Sequence, residues 1–348
     1  MKILYGVQGT GNGHIARARA MSCALKDRGI DVDYLFSGRD ADKYFSMEEF
    51  GAYQTRKGLS FETENGQVSY LKTIQNNSLT ELYREIKNCD LSDYDLVLND
   101  FEPITAWAAK RQKKTCISIS HQNAFKHSVP LKGANWVDKR LIHHFAPSNY
   151  SIGLHWYHFE QDILPPIVHS VDYQIEQENF ILVYLPFENS NEICNLLFRF
   201  ASYQFVCFHP SVNKVETIGS IELRPLSHES FQSHLHRCNG VIANGGFELP
   251  SEALTLGKKL LLKPLSGQFE QQSNVATLDG LGLASSMDFL DASKVRLWLD
   301  DKPGEKVVYP NVAQAIAEWV HNGQWDTQDK LCRALWERVD FPSYVSNI

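Results

Sequence analysis

Apolar positions along this chain change period repeatedly. Residues 2–6, 31–36, 95–98 and 115–120 are short apolar runs bounded by polar or glycine-rich stretches, which predicts buried strands. The stretches 14–28, 40–50, 67–88 and 103–113 between them predict helices. Parallel strands need such crossovers, so the alternation implies a parallel sheet. Residues 51–66 are less regular, and 121–140 is rich in His, Lys and Asn with no clear period. The alternation restarts at Phe180-Ile-Leu-Val-Tyr-Leu185. Further strands are expected at 204–208, 214–218, 240–243 and 259–262, and helices at 189–201, 228–237, 247–256, 270–280 and 311–322. Leu164-Pro-Pro-Ile167 interrupts any regular element, which puts a domain junction near 160–178. The expected fold is α/β, with two Rossmann-like doubly wound domains, 1–165 and 176–325, facing across a cleft. A last helix, 327–338, belongs to a C-terminal segment, 326–348, outside the second repeat.

Composition narrows the partners. A length of 348 residues suits two domains of ordinary size. A net charge of −7 argues against a nucleic-acid binder. No apolar run is long enough to span a bilayer. The chain enters its first strand at residue 2 with no leader pattern, so a cytoplasmic protein is expected. Seven cysteines are scattered with no Cys-x-x-Cys pair, which reads as buried free thiols in a reducing compartment. His143-His144 and His155-x-x-His158 have metal-like spacing, but no carboxylate or cysteine partner stands out and aromatic neighbours suggest packing. No metal and no cofactor are expected.

The chemistry concentrates at strand ends. Val241-Ile-Ala-Asn-Gly-Gly-Phe-Glu-Leu-Pro-Ser-Glu-Ala-Leu254 reads as strand, glycine pair and helix, with Pro250 tolerated only in the first turn. Gly245 and Gly246 before a helix N-terminus make an anion seat. Ser251 and Glu252 follow in the first turns. A carboxylate beside a phosphate would repel it, so Glu252 is better suited to ribose hydroxyls. The next strand ends at Pro264, and Gln268, Glu270, Gln271 and Gln272 follow at its carboxyl end, where ligands of open α/β sheets bind. Phosphate seat, ribose acceptor and amide-rich pocket are the parts of a nucleotide-sugar site.

The first strand leads into Gln8-Gly-Thr-Gly-Asn-Gly-His14. This Gly-x-Gly-x-Gly-His spacing is not the dinucleotide fingerprint Gly-x-Gly-x-x-Gly, so a dinucleotide oxidoreductase is disfavoured. Gly11 and Gly13 still allow a ligand close to the backbone. His14 stands at the loop–helix junction, where the helix dipole favours a neutral imidazole. At the same sheet edge Asn99, Asp100 and Glu102 cluster after the strand that ends near Leu98. Asp100 either orients His14 or, with Asn99, caps the next helix. Glu102 and His121 are candidates for the acceptor side.

Asn244-Gly-Gly-x4-Ser-Glu-Ala-Leu254 with Pro264-x6-Gln-Gln272, together with the N-terminal Gly-x-Gly-x-Gly-His14, resembles the signature of GT-B glycosyltransferases that use UDP-sugars. The closest well-known relative in that resemblance is the bacterial peptidoglycan N-acetylglucosaminyltransferase; nearer are bacterial and archaeal glycosyltransferase-like proteins of similar length. The resemblance implies an inverting, metal-independent transfer from a nucleotide-sugar to a glycan, lipid-linked or small-molecule acceptor. His14 becomes the general base, and Gly11, Gly13, Leu226, Asn244, Gly245, Gly246, Ser251, Glu252, Glu270, Gln271 and Gln272 the donor site. It also implies a terminal helix crossing back onto the first domain, and peripheral contact with the inner face of the membrane. A nucleotide-sugar hydrolase or 2-epimerase of the same fold is an alternative, and so is a non-catalytic nucleotide-sugar binder. Two departures stand out. Asn244 occupies a position that is histidine in many such enzymes. In Leu185-Pro-Phe-Glu-Asn-Ser190, Pro186 lacks an N–H and Glu188 opposes phosphate, so a phosphate contact by this loop is in doubt.

Overall fold

The computed structural model describes residues 1–59, 63–64, 67–68, 78–168 and 177–345. The first domain carries β1 (Lys2–Gln8), β2 (Asp31–Ser37), β3 (Tyr53–Arg56), a short antiparallel pair β4 (Thr63–Glu64) and β5 (Gln67–Val68), then β6 (Leu96–Asp100), β7 (Cys116–Ser120), β8 (Tyr150–Leu154) and β9 (Ile163–Leu164). Its seven-stranded sheet runs in the order β3-β2-β1-β6-β7-β8-β9, with every neighbour parallel. Strand order reverses between β1 and β6, so their carboxyl ends open a crevice. At Gly6 of β1, a Cβ would come within 2.8 Å of Thr105 Cβ, so only glycine lets helix Pro103–Gln112 sit this close.

The second domain repeats the plan. It contains β10 (Ile181–Tyr184), β11 (Phe205–Phe208), β12 (Glu216–Ile218), β13 (Ile221–Arg224), β14 (Gly240–Asn244), β15 (Lys259–Lys263) and β16 (Ser285–Ser286). The order is β12-β13-β11-β10-β14-β15-β16, parallel except for the β12–β13 pair, and it reverses between β10 and β14. The fold is therefore the expected pair of doubly wound domains. One apolar cluster runs through both, from Ile3 and Met21 through Trp156 and Phe247 to Val241 and Leu262. Helix Val312–Asn322 reaches the first domain through Arg28–Glu318 at 2.7 Å. In the last helix, Gln328–Trp336, the Trp336 indole donates to Ile163 O at 2.7 Å.

Several elements differ from the sequence reading. The helix expected at 40–50 is two 3-10 turns, Ala41–Lys43 and Glu48–Phe50, separated by Ser46 at φ 53°. Tertiary contacts override the local pattern there: Arg19 donates to Ser46 O at 2.6 Å, and Phe50 packs edge-on to Phe36 at 4.9 Å. The helix expected at 67–88 begins at Leu79, capped by Ser78; Gln67–Val68 is a strand, and 69–77 lie outside the described residues. Unexpected elements include β3, β4, β8, β9, β13, β16 and helices His121–Ala124, Trp136–His144 and Ala292–Asp300. Helix Trp136–His144 rests on a capping box between Asn135 and Asp138 rather than on a clear apolar face.

Candidate active site

Helix Asn12–Asp27 starts two residues earlier than expected, so His14 sits in its first turn. His14 Nδ1 lies 2.8 Å from Asp100 Oδ1 at the carboxyl end of β6. An ionised Asp100 favours the tautomer with the proton on Nδ1 and the lone pair on Nε2, whereas Arg17 Nη2, a donor 3.0 Å from the same Nδ1, favours the other. Arg17, one turn along, points the same way and donates to both Asp100 oxygens at 2.8 Å. Its third contact crosses to the second domain and meets Glu248 Oε1. Arg17 is 2 % exposed and Asp100 0 %, so one buried cation serves two buried carboxylates. Burial pushes the Asp100 carboxyl up, but Arg17 and His14 outweigh it and hold it below the usual carboxylate range. Burial pushes Glu248 up to about 8 against the pull of Arg17, with Asp100 and Glu252 adding to the rise. Asp100 receives two of the Arg17 bonds and Glu248 one, which accounts for the opposite directions.

A cleft with about 130 Å³ of enclosed volume opens between the two domains beside this network. Helix Asn12–Asp27 lines one wall with Asn12, Gly13, Ile15 and Arg19. The opposite wall carries Tyr184, Leu226, Phe231 and Glu252 from the second domain. Gly13 belongs here for a geometric reason, since a Cβ would meet Glu248 Cγ at 3.0 Å. Glu252 Oε2 accepts from Gln232 Nε2 at 2.9 Å. Burial pushes the Glu252 carboxyl up to about 7, despite the Gln232 hydrogen bond and the Arg19 charge.

The glycine pair is partly as expected. A Cβ at Gly245 would lie 2.8 Å from Gln271 O, so only glycine allows the approach of helix Phe269–Gly280. Gly246 faces open space, but its N–H closes a turn onto Asn244 O at 2.9 Å. Helix Glu248–Thr255 has no side-chain cap at Phe247. Pro250 in its first turn carries no N–H and Ser251 N bonds Phe247 O at 3.2 Å, so the N–H groups of Glu248 and Leu249 are the first-turn donors that could meet an anion. Gly11 is the extended N-cap of the first-domain helix.

Other expected site residues have different jobs. Ser251 is fully buried; its hydroxyl donates to Phe247 O at 2.7 Å and accepts from the Trp156 indole at 2.8 Å. It ties the two domains together and does not line the cavity. Glu102, expected on the acceptor side, is a fully buried helix cap that accepts from Ile104 N, Thr105 N and Ser37 Oγ. Burial raises its pKa in spite of those bonds. His121, also expected on the acceptor side, is 1 % exposed, with Nδ1 2.8 Å from Leu154 O and Nε2 2.7 Å from Asn274 Oδ1, two acceptors of which the neutral ring donates to one. Its ring stacks on Phe247 at 3.9 Å, so it braces the domain interface, and burial lowers its pKa. Asn244 donates its amide to Lys263 O at 3.0 Å instead of offering it to the seat. Gln271 is buried and accepts from Leu265 N at 3.0 Å, bracing the loop before its helix. Glu270 meets Gln122 Nε2 at 3.1 Å, and Gln272 packs against Gly133 of the first domain.

Arg17, Glu248 and Gln232 escaped the sequence reading, while Gln122 was read only as part of His121-Gln-Asn123 at the sheet edge. Arg17 had a usable signal, since three residues after His14 it shares the helix face. Gln122 Nε2 stands 3.5 Å from His14 Nε2 and so links the histidine to Glu270. Glu248 gave no local signal because its partner, Arg17, lies in the other domain. Among the described residues, no group of three or more His, Cys, Asp or Glu side chains gathers as a metal site requires. His155 is buried and accepts from Trp156 N at 2.9 Å.

Known proteins can now be set beside this geometry. The model for glycosyl transferase family 1 matches residues 1–303. Among solved structures, the kitacinnamycin glycosyltransferase is similar at TM-score 0.60 and 14% identity, covering 96% of this chain and 97% of its own. Arabidopsis thaliana UGT89C1 complexed with UDP is similar at 0.57 and 13%, covering 99% and 97%. Streptomyces sp. SF2575 SsfS6 complexed with thymidine diphosphate is similar at 0.58 and 11%, covering 97% and 99%. Such identities speak for the fold alone, and no curated protein matches the chain. No helix among the described residues is long and apolar enough to cross a membrane. With the family matched over most of its length and the two-sheet architecture in hand, the chain belongs to glycosyl transferase family 1 and is a glycosyltransferase of the GT-B fold.

Proposed function

We propose that the protein transfers a sugar from a nucleoside-diphosphate donor, UDP-linked in this reading, to an acceptor hydroxyl with inversion and without a metal. The observation that carries it is the His14–Asp100 pair, 2.8 Å apart, on a helix whose neighbouring residues Gly13 and Ile15 line a cleft that also holds Glu252 of the second domain; His14 itself is not among the lining residues. In this reading Nε2 of His14 takes the acceptor proton, and the imidazolium is stabilised by Asp100. The oxygen attacks the anomeric carbon as the bond to the diphosphate breaks on the opposite face. The first turn of helix Glu248–Thr255 faces the departing charge. Leu226 lies against the base and Glu252 accepts from the ribose, both lining the cleft; Glu270 and Gln272, at the start of helix Phe269–Gly280, are assigned to the sugar by the resemblance. UDP and thymidine diphosphate in the solved neighbours support a nucleoside-diphosphate donor. For the acceptor, the resemblance to the peptidoglycan enzyme favours a cell-surface glycan or lipid-linked hydroxyl. With it go a cytoplasmic location and peripheral contact at the inner membrane face.

Glu252 makes the donor site pH-dependent. Its carboxyl, raised to about 7 in the free protein, must be ionised to accept from two ribose hydroxyls. Binding favours the ionised form, so protons are released on binding. UDP affinity is therefore full above about pH 7 and falls as pH drops below that value. Glu252→Gln is expected to flatten this dependence, and Glu252→Ala to weaken UDP by about 1–3 kcal/mol at pH 8. Calorimetry across pH 5.5–8.5 checks both; an unchanged affinity in Glu252→Ala removes the residue from the site. The pH control is needed because UDP itself titrates in this range.

A further inference from the structure

Strand β14 runs between β10 and β15. Glu188 lies in the loop after β10, and Lys263 is the last residue of β15. Lys263 Nζ and Glu188 Oε1 are nevertheless 2.6 Å apart, so the ion pair spans the carboxyl end of β14. That end is Asn244, followed at once by Gly245 and Gly246. The pair is well shielded, with side chains 9 % and 10 % exposed. An ammonium has three N–H groups, and among the described residues Glu188 is the only partner of Lys263 Nζ. Asn244 is paired with Lys263 in register, its amide nitrogen is already committed, and its buried Oδ1 has no partner. Glu188 uses one N–H of this shielded ammonium, which leaves two donors able to meet a further acceptor such as a phosphate oxygen. Glu188 is held in place by its own backbone, whose carbonyl accepts from His209 Nε2 at 2.9 Å.

We propose that Lys263 is the cationic ligand of the donor diphosphate, and that Glu188 is the place-holder that neutralises it until the donor arrives. This inference rests on reading the cleft as a nucleoside-diphosphate site. Lys263 supplies the positive charge that Asn244 cannot. It also resolves the difficulty of an acidic residue in the 185–190 loop, because Glu188 competes with phosphate for one ammonium rather than facing phosphate unopposed. The diphosphate takes the unmet Lys263 donors, and the Glu188 carboxylate gives way.

The test is calorimetry with UDP and with uridine on wild type, Glu188→Gln and the double variant Lys263→Met with Glu188→Gln. The double change removes both charges together, which avoids stranding a buried carboxylate. Glu188→Gln is expected to bind UDP severalfold more tightly. The double variant is expected to lose about 10- to 100-fold in UDP affinity while uridine stays within about twofold, as for a lost charge-assisted contact to phosphate. UDP affinity unchanged in both variants overturns the assignment and makes the pair a structural bridge. Wild type that binds neither ligand overturns the nucleotide reading itself, and the assignment with it.

Discussion

Replacing His14 by alanine is expected to cut turnover by about 10²–10⁴-fold, the usual worth of a positioned base. Donor affinity should stay within about twofold, since the histidine comes from the opposite domain and acts on the nucleophile. The split separates two roles. A histidine that merely braced the glycine loop would lower kcat and donor binding together. Asp100→Asn provides the companion measurement. It keeps the shape but removes the carboxylate that holds Nδ1–H, so kcat should fall while the donor still binds. Steady-state kinetics with donor binding by calorimetry reads both.

The second large effect is on stability. Arg17→Met leaves Asp100 and Glu248 buried without their shared cation, a loss expected to cost about 3–5 kcal/mol. The damage falls on both sides of the cleft, because Arg17 joins the end of β6 to the start of helix Glu248–Thr255. Urea unfolding of wild type and Arg17→Met measures it. Adding Asp100→Asn to Arg17→Met should recover part of the loss, since Asp100 is the carboxylate that Arg17 holds ionised, whereas Glu248, raised to about 8, can take up a proton instead. A midpoint unmoved by Arg17→Met would mean that water reaches these carboxylates.

Much of this was legible in the sequence, and the failures have physical causes. The strands at 2–6, 115–120 and 259–262 were readable because buried parallel strands are short apolar runs. Helix 228–237 was found at its full extent, with Ser227 as its cap. The 40–50 stretch misled because its apolar residues pack on aromatic Phe36 and Tyr34 rather than along one helix face. Edge strands such as β3, with its Tyr-Gln-Thr-Arg sequence, carry too little apolar signal. At the site, His14 and Asp100 could be singled out because they lie at a helix start and a strand end, Glu252 because it follows the glycine pair, and Leu226 because the resemblance placed it there; the structure pairs the first two and lines the cleft with the others. Whether a polar residue faces ligand or the other domain is decided by packing that no local pattern encodes. Ser251 and His121 therefore read as site residues but serve as interdomain braces, while Arg17 and Glu248 passed unnoticed.

The measurement that bears most directly on the account is product analysis with a panel of UDP-sugars, with and without hydroxyl acceptors drawn from cell-envelope extracts. The account predicts a glycoside of inverted anomeric configuration whose formation requires acceptor, with only slow release of free sugar in its absence. Free sugar released at the same rate with and without acceptor would make water the nucleophile and the protein a hydrolase. Tight binding of a UDP-sugar with no product from any acceptor would contradict catalysis altogether.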